Sequence, residues 1–395
     1  MFGLLWKKEE NMTVLVVPSW YRSGGSAQLG SFFREQALAL SKYGVNVIVA
    51  DATLQGRDNI LSKDMFRLRK FNDNGVITYS HITPALGATR TKFGGIRKYQ
   101  RNLKILLEYI LDDGVDIDII HAHSFFPAGY SALQLAREYG IPLIVTEHSG
   151  GIISNTLDEI KYSWLKETVE ESDAFICVGN KLKESIIDLT ETKRSIYVIP
   201  NMVSTLFHPI NKSETNEFCF VSVGNLIHSK RFDLTLRAFA KSFACNDRVR
   251  LKIIGDGELK NKLISLACEL GVNEKVDFLG RLQRESVARE MQKCDAFVLP
   301  SDFETFGVVY IEALASGLPV IATRNGGAED IVTDKNGLLV DIDNVDQLTN
   351  AMKTLYNNIS DFKKEELSKS CYAKFGEQSV CDRILDVYNS IKFNV

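Results

Sequence analysis

SDFETFGVVYIEALASGLPVIATRNGGAED, residues 301–330, is the stretch on which the fold turns. It follows a short apolar run, CDAFVLP (294–300), and contains another, LPVIAT (318–323). Between them Val308, Val309, Ile311, Leu314 and Ala315 recur at helical spacing, which predicts a helix starting near Phe306 or Gly307. The apolar runs are continuous rather than alternating, as expected for strands buried on both faces of a parallel sheet. The unit therefore reads strand, loop, helix, strand.

The same alternation extends outward in both directions. Downstream of residue 216 the other strand runs are EFCFVSVG (217–224), VRLKIIG (249–255), KVDFLG (275–280) and NGLLV (336–340), with amphipathic helices such as FDLTLRAFAKSF between them. Upstream, TVLVVP (13–18), VNVIVA (45–50), DIDIIHAH (116–123), IPLIVTEH (141–148), DAFICVG (173–179) and IYVIP (196–200) alternate with helical segments, two of which (30–44 and 131–140) end in a glycine suited to a C-cap. Strand–helix alternation at this spacing predicts doubly wound α/β architecture. Two domains are expected, 1–205 and 206–375, followed by an amphipathic helix at 376–395, with the polar stretch NKSETNE (211–217) as linker. Ligands of open α/β sheets bind beyond the carboxyl ends of the strands, so two such domains facing each other make a cleft suited to chemistry.

Composition narrows the class. The 395 residues are 45% hydrophobic and 25% charged, with a formal net charge of -3, so no global basic field points to nucleic acid. No apolar run approaches the roughly 20 residues that span a bilayer. MFGLLWKKEE lacks the apolar length and cleavage site of a signal peptide, and the expectation is a cytoplasmic chain. The seven cysteines are scattered, without a C-x-x-C pair, and read as reduced thiols.

Glu304 falls in the loop before the predicted helix and Glu312 inside it, seven residues between them. The loop places backbone N–H groups of Thr305, Phe306, Gly307 and Val308 at a helix N-terminus, which favours phosphate. Gly307 admits close approach of a ligand to the backbone. A carboxylate pair beside such amides can hold vicinal diols; the plainer reading is an N-cap and a solvated helix residue. The run E-T-F-G-V-V-Y-I-E-A-L-A-S-G-L-P-V-I-A-T, followed by N-G-G-A-E, resembles the donor-site signature of the family 4 retaining glycosyltransferases, the group 1 glycosyl transferases.

That resemblance implies the GT-B fold, with two Rossmann-like domains facing a central cleft and a C-terminal helix packed back on the N-terminal domain. It implies that Glu304 lies against donor-sugar hydroxyls and that Phe306, Gly307 and Val308 hold sugar and phosphate oxygens through their backbone. Glu312 would accept from the ribose, and Gly326 and Gly327 would turn beside the site with Glu329 in support. The segment VSVGNLIHSKRFDLTLRAF (221–239) resembles the family too, Lys230 matching a diphosphate-binding lysine. Asn225 stands where the family has arginine, so one cation is missing unless Arg231 or Arg281 supplies it. In the family, turns matching Gly255, Arg281 and Leu282 frame the nucleobase.

In the N-terminal half His148 matches the family histidine that faces the donor sugar, and is expected to be catalytic with Glu304 and Lys230. His121 and His123 share a strand face; with His148 they make a zinc site or, the stronger reading, satisfied core or cleft histidines. Gly24, Gly25 and Gly30 are candidates for the glycine-containing first loop, with Gly30 favoured for donor contact. PNMV (200–203) resembles a P-N-G-V turn with Met202 in place of glycine. RTKFGGIRKYQRNLK (90–104) carries six basic residues, two aromatics and no acid; it reads as a solvated helix face or as a contact for an anionic membrane or lipid-linked acceptor. FGLLWKK adds a small interfacial anchor through Trp6.

The expected activity is therefore hexosyl transfer from an NDP-sugar to the hydroxyl of a glycan or lipid-linked acceptor, with retention, in cell-surface polysaccharide or glycolipid assembly. No cofactor and no metal is required by that scheme. An NDP-sugar epimerase and a non-catalytic nucleotide-sugar-binding scaffold, the latter motivated by Asn225, are the alternatives.

Overall fold

The computed structural model describes residues 12–21, 31–56, 65–85, 93–154, 156–210 and 217–392. The N-terminal anchor, Gly24, Gly25, Gly30 and nearly all of the linker lie outside them. The chain forms two compact units, one comprising Met1–Val178, Lys183–Ile199 and Cys381–Val395, the other Gly179–Leu182 and Pro200–Val380. The division near Ile199 lies a few residues before the boundary expected at 205/206.

The first unit holds an eight-stranded sheet. Its spatial order is Ile196–Val198, Ala174–Cys177, Leu143–Glu147, Ile119–His123, Thr13–Pro18, Asn46–Asp51, Val76–His81 and Leu68–Asp73. All neighbours are parallel except the last pair, an antiparallel hairpin turned at Asn74 and Gly75, both with positive φ. Val14, Leu15, Val16 and Val17 are each at most 1% exposed, so both sheet faces are covered, which is why this strand reads as an unbroken apolar run. The helix Gly94–Asp112 buries Ile96, Tyr99, Leu103, Leu106, Leu107 and Ile110. That periodicity leaves Arg97, Lys98, Arg101 and Lys104 on its other side, where Lys104 meets Glu138 at 2.5 Å. Gly140 caps the helix Tyr130–Tyr139 in the left-handed conformation, as its place in the sequence predicts.

The C-terminal helix Glu377–Lys392 sends its last residues into this unit. Tyr388 is fully buried, and its hydroxyl lies 2.6 Å from His121 Nδ1; Nε2 of the same ring lies 2.7 Å from Thr146 Oγ1. Burial pushes the His121 pKa down to about 3 and that of His123 down as well, so the folded unit holds both rings neutral. In the unfolded chain histidine titrates near about 6.5. This contribution to stability is therefore complete above about pH 6.5 and is lost as pH falls from there toward the folded value. Trp20 and Trp164 belong to this unit, so their fluorescence reports its unfolding. The urea midpoint by fluorescence is expected to fall between pH 7.5 and pH 5, with a shallower fall in His121→Gln. Equal slopes in the two proteins would contradict the assignment.

The second unit has a six-stranded, wholly parallel sheet in the order Val276–Gly280, Val249–Ile254, Phe218–Val223, Ala296–Leu299, Val320–Thr323, Gly337–Val340. Numbered within the unit this is 3-2-1-4-5-6, the dinucleotide-fold order. Its helices, among them Phe232–Phe243 and Val308–Ala315, follow the strands where the periodicity places them. Cys177, Cys219, Cys294, Cys371 and Cys381 are buried and outside any disulfide, while Cys245 and Cys268 are exposed.

Candidate active site

The strand order of the second unit reverses between Phe218–Val223 and Ala296–Leu299. The chains leaving those two strands diverge to opposite sides, which opens a crevice beyond their carboxyl ends. The loops there are 224–231 and 300–307, and the Asp302 N–H donates to the Ser229 carbonyl at 2.8 Å. Lys230 Nζ meets Glu304 Oε1 at 2.5 Å, and Ser301 Oγ donates to the same oxygen at 2.9 Å. The two side chains are 22% and 12% exposed, so they are partly withdrawn from water yet open to a ligand. Strand topology thus brings together two residues 74 positions apart in the chain.

The backbone of the second loop is shaped by close approach. Gly307 opens the helix Val308–Ala315 with φ +88°. The amides of Thr305, Phe306, Gly307 and Val308 have no hydrogen-bond acceptor among the described residues. Four such donors at a helix N-terminus form an anion-binding surface. Behind them runs the turn 325–328. A Cβ on Gly327 would lie 2.7 Å from the Phe306 carbonyl oxygen, so only glycine lets the two loops touch. Asn325 braces the pair. It donates to the buried Tyr310 hydroxyl at 3.0 Å, its carbonyl oxygen accepts from the Gly327 and Ala328 amides, and its backbone carbonyl accepts from the Glu304 N–H. Glu329 accepts from the Gly326 amide at 2.8 Å and closes the turn.

Arg231, expected to serve as a spare phosphate cation, has other partners. With φ +49° it precedes the helix Phe232–Phe243, and its guanidinium meets Asp233 at 3.2 Å, Asp302 at 3.1 Å and Asp343 at 2.8 Å. Asp233 lies in the first turn of the helix that follows Arg231, while Asp302 and Asp343 follow two other strands, so Arg231 ties the loops together and its donors are engaged. A cavity of about 460 Å³ opens beside it, lined by residues including Leu259, Leu263 and Lys262; neither Lys230 nor Glu304 lines it. Asn225 and Arg281 are exposed, on the loops after two different strands, and Leu282 is half-buried. Gly255 has φ +148° and its amide donates to the Gly280 carbonyl at 2.9 Å.

Glu312 sits in the helix after the Gly307 turn, 12% exposed, and Arg284 Nη2 donates to its Oε1 at 2.7 Å. Burial raises the Glu312 pKa above the ordinary carboxyl range, and Arg284 opposes that rise. Arg284 is a residue that the sequence did not single out. It opens the helix Arg284–Gln292, on a different strand connection from Glu312.

In the first unit His148 follows the strand Leu143–Glu147, next to that sheet's own reversal between Thr13–Pro18 and Ile119–His123. Its Nε2 lies 3.2 Å from His123 Nδ1, with the Phe32 and Phe33 rings packed around it at centroid distances of 5.1 and 5.0 Å. The buried Glu147 carboxylate accepts backbone N–H groups of Phe125, His148 and Ser149 and so fixes the backbone that carries His148. Both His121 ring nitrogens are hydrogen-bonded, to Tyr388 and Thr146, and the three rings do not converge on one ion. No group of three or more His, Cys, Asp or Glu among the described residues is placed to hold a metal. The engaged nitrogens of His121 fit the core-histidine reading. Met202 is 5% exposed and packs as a core residue in its turn. No helix among the described residues is long and apolar enough to cross a membrane.

Comparison with known proteins agrees with this architecture. The model of glycosyl transferases group 1 matches residues 204–371, and that of glycosyltransferase family 4 matches residues 29–206. An uncharacterized glycosyltransferase of Methanocaldococcus jannaschii is 33% identical over 281 residues, covering 71% of this chain and 74% of the relative. N-acetyl-alpha-D-glucosaminyl L-malate synthase of Bacillus anthracis is 25% identical, over 70% of this chain and 75% of that protein. Alpha-monoglucosyldiacylglycerol synthase of Streptococcus pneumoniae is 28% identical, over 60% and 58%. Among solved structures, sucrose-phosphate synthase of Thermosynechococcus elongatus superposes with a TM-score of 0.79 at 18% identity, covering 98% of this chain and all of that one. Anabaena HepE, solved with UDP, gives 0.72 at 18% identity, over 96% and 100%. With both units matched and a relative one third identical over most of its length, the chain belongs to the group 1 glycosyltransferases of family 4, built on the GT-B fold of two Rossmann-like domains.

Proposed function

We propose that this glycosyltransferase moves a hexosyl group from an NDP-sugar to an acceptor hydroxyl with retention at the anomeric carbon, in polysaccharide or glycolipid assembly. The observation that carries the reading is the Lys230–Glu304 pair at the strand-order reversal, beside open amides at Thr305–Val308. In this scheme the amides and Lys230 take the diphosphate, Glu304 takes sugar hydroxyls, and Glu312 accepts from the ribose. HepE, a structural neighbour, has been solved with UDP and with UDP-glucose, which supports a nucleoside diphosphate as the common ligand. The names of the pneumococcal and Bacillus relatives support transfer to a lipid or small hydroxylated acceptor.

The bond from the anomeric carbon to the diphosphate oxygen breaks as the acceptor oxygen bonds that carbon from the same face. The acceptor proton passes to a diphosphate oxygen. Charge builds on the departing diphosphate, where a positioned cation and helix-end amides act most strongly. Glu304 is already held by Lys230 and Ser301, which favours a role in binding hydroxyls over one as a covalent nucleophile. The scheme uses no metal and no further cofactor. His148 is retained as a catalytic residue on the strength of the resemblance alone. A cytoplasmic chain resting on an anionic membrane through Arg97, Lys98 and Arg101 fits the acceptor class.

Incubating the protein with a labelled NDP-hexose, with and without an acceptor lipid or glycan, separates the transferase from an epimerase. The donor is expected to stay chemically unchanged alone, and conversion to an epimer without acceptor would overturn the transferase reading. A scaffold is the second reading, favoured by Asn225 together with the engagement of Arg231 by three aspartates. Under the proposal Asn225→Arg changes transfer by less than about ten-fold, equivalent to ~1.4 kcal/mol. A gain from no detectable transfer to ready turnover would mark a degenerate site.

A further inference from the structure

Glu312 is a carboxylate in a largely buried position, and a single charged group among the described residues acts on it, Arg284. The guanidinium contacts one carboxylate oxygen, Oε1, at 2.7 Å. It also lies over the face of Phe207, with Cζ 5.5 Å from the ring centroid. Phe207 is itself immobilised. It is fully buried, its carbonyl accepts from the Tyr372 hydroxyl at 2.6 Å, and the neighbouring His208 carbonyl accepts from Gln292 at 2.9 Å. A planar cation sandwiched by an aromatic face and a carboxylate loses little further freedom when a ligand arrives.

We propose that Arg284 is a positioning residue for nucleotide recognition: held against Phe207, it fixes the Glu312 carboxylate so that Oε2 is presented to the ribose diol. The proposal rests on the assignment of Glu312 to the ribose made above. Two physical consequences follow. Arg284 favours the ionised form of Glu312 against the effect of burial, and an ionised carboxylate is acceptor-only toward the two hydroxyls. It also fixes the carboxylate rotamer, so the binding surface exists before the nucleotide arrives. Arg284 touches no part of the ligand in this arrangement and acts only through Glu312.

The test measures binding by titration calorimetry for UDP, GDP and ADP, each against its 2′,3′-dideoxy counterpart. The ratio of the two affinities isolates the diol and is insensitive to a fraction of unfolded protein. For the nucleotide bound most tightly, the wild type is expected to prefer the ribose form by roughly ten-fold or more, the scale of hydrogen bonds to a charged acceptor. Glu312→Gln and Arg284→Gln are each expected to bring that ratio close to one, while Arg284→Lys, which restores a cation, keeps part of it. In Arg284→Gln the preference is expected to depend more steeply on pH than in the wild type, recovering as pH rises and Glu312 ionises. A merely structural role for Arg284 lowers both affinities together and leaves the ratio unchanged. Loss of the ratio in Glu312→Gln with its retention in Arg284→Gln overturns the positioning role and leaves the Glu312 assignment standing. An unaltered ratio in Glu312→Gln overturns both.

Discussion

Lys230→Ala is expected to lower turnover by about two to three orders of magnitude, ~2.7–4 kcal/mol of transition-state stabilisation. The cation meets Glu304 at 2.5 Å and sits on the loop at the strand-order reversal, where the diphosphate is proposed to depart. Charge on that group grows as the bond breaks, so the loss should fall on kcat more than on KM. Lys230→Arg keeps the charge but not the reach and should recover part of the rate. Far-UV circular dichroism checks that the fold survives, since Ser301 still donates to Glu304. A fall in turnover of less than about three-fold, ~0.7 kcal/mol, would remove Lys230 from the chemistry.

The largest effect on stability is expected at Gly255. Its φ is +148°, a conformation that side chains with a Cβ rarely adopt, and an added Cβ would lie 1.8 Å from the Gly224 carbonyl oxygen. Backbone cannot retreat cheaply there, because Gly224 N–H is bonded to the Ile254 carbonyl and Gly255 N–H to the Gly280 carbonyl. Strain of this kind costs ~1–3 kcal/mol and overpacking adds ~1–3 more, so Gly255→Ala should lose about 2–6 kcal/mol or fail to fold. Gly271 supplies the control. Its φ is +69° but nothing lies within 4 Å of its Cβ position, so alanine there should cost only ~1–2 kcal/mol. Urea unfolding followed by circular dichroism compares the two. Equal losses would show that the close approach between adjacent strand ends is not what demands glycine at 255.

Much of this architecture can be read from the chain because its local signals are strong. The helix Phe232–Phe243 coincides with the run FDLTLRAFAKSF, and Gly307 opens its helix within a residue of the position that the apolar spacing indicates. The hairpin Leu68–His81 is not among the strands that the apolar runs indicate, although an Asn-Gly turn marks it, because its first strand alternates exposed and half-buried residues and forms the sheet edge. Contacts across long separations leave no such trace. Arg231 reads as a free cation beside Lys230, but its partners Asp302 and Asp343 lie 71 and 112 residues away. Arg284 carries no motif at all; it becomes notable only because the fold sets it against Glu312 and Phe207. The chemistry of a site can thus be visible in its motif while the residues that brace it are visible only in the fold.

The most direct test of the central claim is a thermal-shift titration of the purified chain with UDP, GDP and ADP and their common hexose conjugates. At about 100 times the dissociation constant, one nucleotide family should stabilise the protein by ~2.7 kcal/mol, and Glu312→Ala should cut that to ~1.4 kcal/mol or less at the same ligand concentration. That result would place the donor in the second unit and identify its base. Absence of any shift at millimolar ligand, with the protein folded, would contradict a nucleotide-sugar site at Lys230, Glu304 and Glu312.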